Sequence, residues 1–469
     1  MANLLIAGLV GAAVVFLFAA QDWQRAIKLA LVLVVVEGAL RKWVLPQASE
    51  LIYFLKDIVL LGAYVSYYHS HVGRQRKPAQ KTIFQPFLVL MTLWCVAEVF
   101  NPRLGSPVVG VFGLKSYLFY IPLVWILPNL FTTWEKLYHF LRAYLLLIIP
   151  IGILGIVQYF SPPTSFLNVY VPGEVTSIAA FNGHVRITGT FSYIGGYGVY
   201  LLVAFGLLLP LLTLRQSWMW RVILLVELFL IVVNSFMSGS RGVILNQALL
   251  LLLYLAFLFV RQPGETIRFV RRFTLPAVVV GYIVFTRFRI AFDNFMLRVT
   301  VNDDLSSRVS SSFANPFDFI DYAGIMGYGI GATLPGGRAL RTILGLPVGE
   351  WIPVYFESEM GRIILEIGPL GFLGWYLLRL IIMLALFSVF WRLRTPLLRQ
   401  LALIAFLIHL LLFNGQLVVN QTFAVYYWVL ASFTFLLPRL EQAYTPAARK
   451  FTPKPYHVKT TNRPYPSYR

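Results

Sequence analysis

Ser238-Gly239-Ser240-Arg241-Gly242 lies between two long apolar runs, a place where few charges are tolerated. Its serines can accept the free N–H groups of a following helix. A cation at a helix start opposes the helix dipole. An anion that bridges the guanidinium and the free N–H groups reverses that penalty; the alternative is an arginine that snorkels to lipid headgroups. His184-Val185-Arg186-Ile187-Thr188-Gly189-Thr190-Phe191-Ser192 has the same character, a short polar stretch with one arginine ahead of an apolar run whose start carries Gly195, Gly196 and Gly198. Here the choice is between a ligand contact and a structural turn with a surface arginine.

Carboxylates occur in Glu357-Ser358-Glu359-Met360-Gly361-Arg362, followed by Ile363-Ile364-Leu365-Glu366-Ile367-Gly368-Pro369-Leu370-Gly371. In a helix starting near Glu357, Glu359, Arg362 and Glu366 share one face. Gly368, Gly371 and Gly374 would allow another helix to approach closely. Ionisable groups at such a place are a functional hypothesis by default: a carboxylate could take a proton from a hydroxyl. The competing reading is a Glu–Arg pair used for packing.

Other constellations say less. Gly327-Tyr328-Gly329-Ile330-Gly331, followed by Gly336-Gly337-Arg338, lacks the strand–turn–helix setting of a nucleotide loop and reads as a turn. Asp303-Asp304 beside Asn302 reads as a solvated turn or cap. Glu37, Glu98 and Glu227 lie in or near apolar runs, where they would pair with inward polar groups. His409 reads as a bundle histidine, and no nucleophilic triad or zinc spacing occurs.

The elements that must position these residues are apolar helices. Mean hydropathy is +0.74, 58% of residues are hydrophobic and 12% are charged. Stretches of about 17–25 apolar residues are what bilayer-crossing helices require. Spans are expected at 3–20, 26–40, 51–68, 83–100, 116–132, 143–160, 193–214, 219–237, 242–260, 273–288, 361–391, 400–413 and 421–438, twelve or thirteen in all because 26–40 and 400–413 are short. The first reads as a retained span, since no basic stretch precedes it and no small-residue cleavage site follows. The fold class is an all-α polytopic membrane protein: a transmembrane helical domain over 1–438 and a flexible basic tail over 439–469.

A net charge of +20 in a chain this apolar points to anionic lipid headgroups, not nucleic acid. Cys95 is the single cysteine and lies in an apolar run, so no intrachain disulfide is expected. Basic residues concentrate in alternate loops: Arg74, Arg76, Lys77 and Lys81; Lys136 and Arg142; Arg215 and Arg221; Arg261, Arg268, Arg271 and Arg272; Arg392, Arg394 and Arg399. The positive-inside rule makes these cytoplasmic. The intervening segments 101–115, 161–192, 234–241, 289–360 and 414–420 then face outward, and 289–360 is one large periplasmic loop. Arg186, Arg241, Arg298, Arg308, Arg338, Arg341 and Arg362 belong to this second side. Topology does not account for them; an anionic ligand such as a lipid phosphate does.

In order along the chain, Arg186-Ile187-Thr188-Gly189-Thr190-Phe191, Ser238-Gly239-Ser240-Arg241-Gly242, Gly327-Tyr328-Gly329-Ile330-Gly331 and Glu357 through Gly371 resemble the O-antigen ligase and O-antigen polymerase superfamily of bacterial membrane glycosyltransferases. The resemblance spans residues 80 to 438. It implies a metal-independent enzyme of the GT-C type, without cofactor, in the bacterial cytoplasmic (inner) membrane, with its active site facing the periplasm. It would join a glycan from an undecaprenyl-pyrophosphate donor to a glycan acceptor. Chain-length regulators or other polysaccharide-assembly proteins would be partners. Arg186 and Arg241 match the family's pyrophosphate-binding arginines, Arg308 a loop arginine, and Arg338 and Arg362 complete the expected substrate-binding set. Glu357 and Glu359, with Arg241, form the expected catalytic set. The ligases carry a histidine near Glu357-Ser358-Glu359, and none stands here, which favours a polymerase-like member. A ligase acting on lipid A core or protein, and a transporter of lipid-linked sugar, are the alternatives.

Overall fold

The computed structural model describes residues 2–70, 84–171, 180–181, 184–214, 216–301 and 313–450. Arg74, Arg76, Lys77, Lys81, Arg215, Asn302, Asp303, Asp304 and Arg308 lie outside them, as does the tail beyond Lys450. Among the described residues the regular structure is helical apart from one short hairpin, in which Ala180–Phe181 pairs antiparallel with His184–Val185.

Among the described residues, seven helices are long and apolar enough to cross a membrane: Trp134–Phe160, Ile194–Thr213, Trp218–Met237, Arg241–Arg261, Thr266–Arg287, Glu359–Arg392 and Gln421–Ala443. An eighth span results if Pro107–Leu118 and Leu123–Leu130, bent by 42°, count as one. Gly8–Ala19, Phe84–Glu98 and Pro396–Leu411 are apolar but shorter. This is a helical, multi-pass membrane architecture. The expected twelve or thirteen spans include these helices and others that fall below that length. Ile194–Thr213 is the central helix, with 83% of its apolar window buried. Leu275, Val278 and Tyr282 on the Pro263–Arg287 helix are exposed instead, as side chains facing lipid would be.

The two loop families gather at two ends of the bundle. At one end Arg261 donates to the Trp391 carbonyl, Glu441 accepts from the Arg394 and Thr395 amides, and Arg142 lies 3.3 Å from the centre of the Trp220 ring. At the other, Lys42 reaches Thr188, Arg186 reaches Ser238, Arg103 reaches Glu350 and Gln416 reaches Glu357. Two of the second family's segments are more helical than their sequences suggest. Residues 107–115 belong to the Pro107–Leu118 helix, and 289–360 holds Arg289–Val301, a helical turn at Asn315–Ala323 and Pro335–Leu344.

A kink in Glu359–Arg392 organises this end. Pro369 has no N–H, so the Leu365 carbonyl four residues earlier loses its helical donor. Gly368 leaves the helix at φ 69°, ψ 174°. The Tyr328 amide donates to Leu365 O at 2.7 Å, and the Trp94 indole donates to Ile367 O at 3.0 Å. Gly327, Gly329 and Gly331 all have positive φ. A Cβ on Gly327 would stand 2.7 Å from Leu365 O, and one on Gly331 2.9 Å from the Gly113 Cα. The glycine run is therefore a backbone wedge between two helices. Gly371 and Gly374 receive Trp94 and Met91 in the same way.

Candidate functional site

The hairpin delivers Arg186 to its place. His184 stacks on Tyr159 with 4.7 Å between ring centres, and the chain then runs along the end of the Trp23–Ala39 helix. Gly189 is gripped from both sides: its N–H donates to Gln158 Oε1 at 2.9 Å, and its carbonyl accepts from Gln158 Nε2 at 3.2 Å and Lys42 Nζ at 2.7 Å. Thr190 donates to Val35 O, and Arg41 donates to Ser192 Oγ at 3.0 Å. A Cβ on Gly38 would collide with Ser192 N at 2.4 Å, so glycine is what lets this segment lie on the helix.

Arg186 Nε donates to Ser238 O at 3.2 Å. This brings the two arginine-bearing loops together, with Arg241 opening its helix beside them. Burial pushes the Arg186 guanidinium below its usual pKa; Tyr170 opposes that shift and the charge on Arg241 adds to it. The serines act differently from expectation. Ser240 occupies the N-cap without a side-chain cap bond. Ser238 Oγ instead donates to Ser235 O at 2.8 Å and accepts from the Ser240 amide at 3.3 Å, shaping the turn at Gly239, where φ is +61°.

Further along the segment that holds Arg186, Phe191, Ser192 and Tyr193 line a cavity together with Glu37, Arg41, Tyr53, Lys56 and Gln421, among others. Lys56 and Glu37 in its wall belong to a buried charge network that extends behind it. Lys56 Nζ stands 2.7 Å from Glu37, and Lys115 Nζ stands 2.6 Å from Asp57. Tyr120 donates to Asp57 at 2.6 Å, and Gln421 bonds the Tyr53 hydroxyl. Lys42, 3% exposed, has Thr188 Oγ1 at 3.0 Å and Gly189 O as acceptors and the Trp43 ring 4.6 Å away. Burial lowers its pKa to about 7. Among the charged groups here, Glu37 alone is expected from the sequence. Lys42 and Lys115 stand at the ends of apolar runs, and Lys56 stands inside 51–68.

Glu359 is buried; its Oε1 accepts from the Val418 amide at 2.8 Å, and its Oε2 has no hydrogen-bond partner. Val419 and Gln421, just beyond Val418, line the cavity, so segment 414–422 connects Glu359 to it. Glu357 is exposed, and its carbonyl accepts from Gln416 at 3.3 Å. Arg362 and Glu366 do share a face, but Thr333 stands between them. Arg362 donates to Thr333 O at 2.7 Å, while Glu366 accepts from the Thr333 amide and hydroxyl and from Tyr117. These two residues hold the 323–334 wedge against the kinked helix. Arg338 is exposed on Pro335–Leu344. Of the expected residues, then, Arg186 and Arg241 come together, Glu359 reaches the cavity through its neighbours, and Arg362 serves the wedge.

Glu98 accepts from Asn101 at 2.8 Å through one oxygen, while its other oxygen and one oxygen of the buried Glu227 have no hydrogen-bond partner. His409 bonds its own helix at Ala405 O and packs on Tyr427. Cys95 is buried. No family model and no curated protein matches the chain.

Proposed function

We propose that the chain is a membrane glycosyltransferase acting at the loop-rich end of the bundle, which would face the periplasm of a bacterial cell. Its donor is a glycan carried on undecaprenyl pyrophosphate, and its product is a longer lipid-linked glycan for a surface polysaccharide. The observation that carries this reading is the meeting of Arg186 and Arg241, from two separate loops; the segment that holds Arg186 continues through Phe191 and Ser192 into the lining of a cavity that also carries Arg41 and Lys56. Two cations held in mutual repulsion suit a ligand with two or more negative charges.

In the reaction, the acceptor hydroxyl oxygen attacks the anomeric carbon while the bond from that carbon to the pyrophosphate oxygen breaks. The hydroxyl proton passes to a carboxylate. Glu357, exposed at the start of the kinked helix, is the better placed; Glu359 has one oxygen committed to the Val418 amide. The carrier departs as undecaprenyl pyrophosphate with one more negative charge, which Arg186 and Arg241 stabilise in a site of low dielectric.

The test is reconstitution of the purified protein with an undecaprenyl-pyrophosphate-linked repeat unit from its own host, following glycan length on a gel. A ladder that disappears in Arg241→Ala supports a polymerase. A single transfer to an added lipid or protein acceptor would make it a ligase. Unchanged glycan with no carrier released would sink both and leave movement of the lipid-linked sugar as the activity.

A further inference from the structure

Residues 345–359 contain Glu350, Glu357 and Glu359 and no lysine, arginine, aspartate or histidine, in a chain whose net charge is +20. Between Leu346 and Glu357 the backbone is non-helical. Its side chains alternate in environment. Ile352, Val354 and Phe356 pack on the small core of Ala323, Tyr328, Ile364 and Leu365. Trp351 and Tyr355 point the other way and are 81% and 85% exposed. Residues i and i+4 on one face of an extended chain lie up to about 13 Å apart, the scale of a short run of sugar rings.

The segment is fixed at both ends. Arg103 holds the Glu350 carboxylate through Nε at 2.7 Å and Nη2 at 2.9 Å, and the Glu350 amide donates to Arg103 O at 2.8 Å. A Cβ on Gly349 would stand 2.7 Å from Leu104 O, so the backbones are in contact there. At the other end Gln416 binds Glu357 O, and Ser358 Oγ accepts from the Gly361 amide at 3.1 Å, capping the next helix. Folding thus uses the inner face and both ends. The two large aromatics on the outer face contribute nothing to that anchoring.

We propose that Trp351 and Tyr355 form a stacking platform for the acceptor glycan, leading its terminal hydroxyl toward Glu357. Aromatic rings pack against the apolar C–H faces of pyranose rings, and carboxylates beside them accept hydrogen bonds from sugar hydroxyls. A lipid surface is the competing occupant for exposed Trp and Tyr. Anionic headgroups attract cations, and this segment presents acids. The neighbouring Pro335–Leu344 helix, which carries Arg338 and Arg341, has the composition suited to headgroups instead. The inference rests on the transferase reading, for which it supplies an acceptor subsite.

The experiment is equilibrium binding of delipidated oligosaccharides, one to four repeats released from the host's own surface polysaccharide, to the full-length protein in nanodiscs. Expected are a drop in affinity of tenfold or more in Trp351→Ala and Tyr355→Ala, near-normal affinity in Trp351→Phe, and affinity rising with repeat number in the wild type. Wild-type chromatographic behaviour of each variant separates loss of binding from misfolding. Unchanged affinity in both alanine variants overturns the platform. So does strong quenching by bromolipids of fluorescence that Trp351→Phe removes, since that places the indole in the bilayer. A wild-type protein that binds no oligosaccharide overturns it as well; if the same preparation still releases carrier in an Arg241-dependent way, the transferase reading survives alone.

Discussion

The two sides of the loop-rich end treat charge in opposite ways. Around residues 37–57 and 115, cations and their partners are sealed: Lys56 and Glu37 have side chains 4% and 9% exposed. Along 345–357 the charges stand in water: Arg103 and Glu350 have side chains 31% and 49% exposed, and Glu357 is exposed too. A sealed polar site binds strongly and selectively because its groups are desolvated before the ligand arrives. An open face of aromatics and acids binds neutral, extended molecules weakly and along their length. The contrast fits a reaction with a charged leaving group at one side and a sliding polymer at the other. It also predicts that damage on the sealed side affects folding and chemistry, while damage on the open side affects affinity.

The largest effect should come from breaking the sealed pair. Lys56→Met leaves Glu37 buried without its partner, at a cost of about 3–5 kcal/mol. The double variant Lys56→Met/Glu37→Met should recover most of that loss. Thermal unfolding of the four members of the cycle in detergent checks it. A cost below about 1 kcal/mol in the single variant would mean that water reaches the pair and that the sealed side is not sealed.

Arg241→Ala should come next, slowing carrier release about 10²–10³-fold with little change in unfolding temperature, as loss of one donor to a developing oxyanion does. Arg241→Lys should recover only part, because a bidentate phosphate contact needs the planar fork. If Trp351→Ala reduced the maximal rate as much, instead of raising the acceptor concentration needed, the proposed division of labour between the two sides would fail.

The sealed side was the less legible in the sequence. Each of its members is local nonsense until paired: Lys115 finds Asp57, and Gln421 finds Tyr53 across the whole chain. No helical or strand period links such positions. What was legible follows from short-range rules. Apolar runs become membrane-length helices because hydropathy is a local property, and Gly368, Gly371 and Gly374 do admit neighbours closely because lack of a Cβ is a local property too. The serine-rich turn at 238–240 misled in detail. Its composition suits an N-cap, but Gly239 in the left-handed region turns Ser238 back toward the preceding helix.

Lys42 supplies a pH test of the sealed side. Its folded pKa is about 7, whereas an unfolded lysine titrates near ~10.4. Between those values the unfolded chain binds the extra proton, so stability should rise with pH, by at most about 1.4 kcal/mol per pH unit. The neutral amine has two N–H groups, matching the two acceptors at Thr188 and Gly189. Unfolding midpoints measured from pH 7 to 9 should climb in the wild type and flatten in Lys42→Met. Equal slopes in the two proteins would show that Lys42 stays charged in the folded state.

The smallest effect belongs to the open side. The hydrogen bonds from Arg103 hold the Glu350 carboxylate below the usual carboxylate range. A carboxyl with a depressed folded pKa stabilises above its unfolded value, near ~4.3, and loses that contribution as pH falls through the folded one. Because both side chains are partly in water, the pair is worth less than about 1 kcal/mol. Glu350→Gln should therefore barely move the unfolding midpoint at pH 7, and the small gap between variant and wild type should close on acidification toward pH 3. High salt should narrow the same gap at pH 7, yet leave the Lys56→Met cost intact, since screening reaches exposed charges and not buried ones. A salt response of equal size at both places would mean that the two sides do not differ in the way their burial indicates.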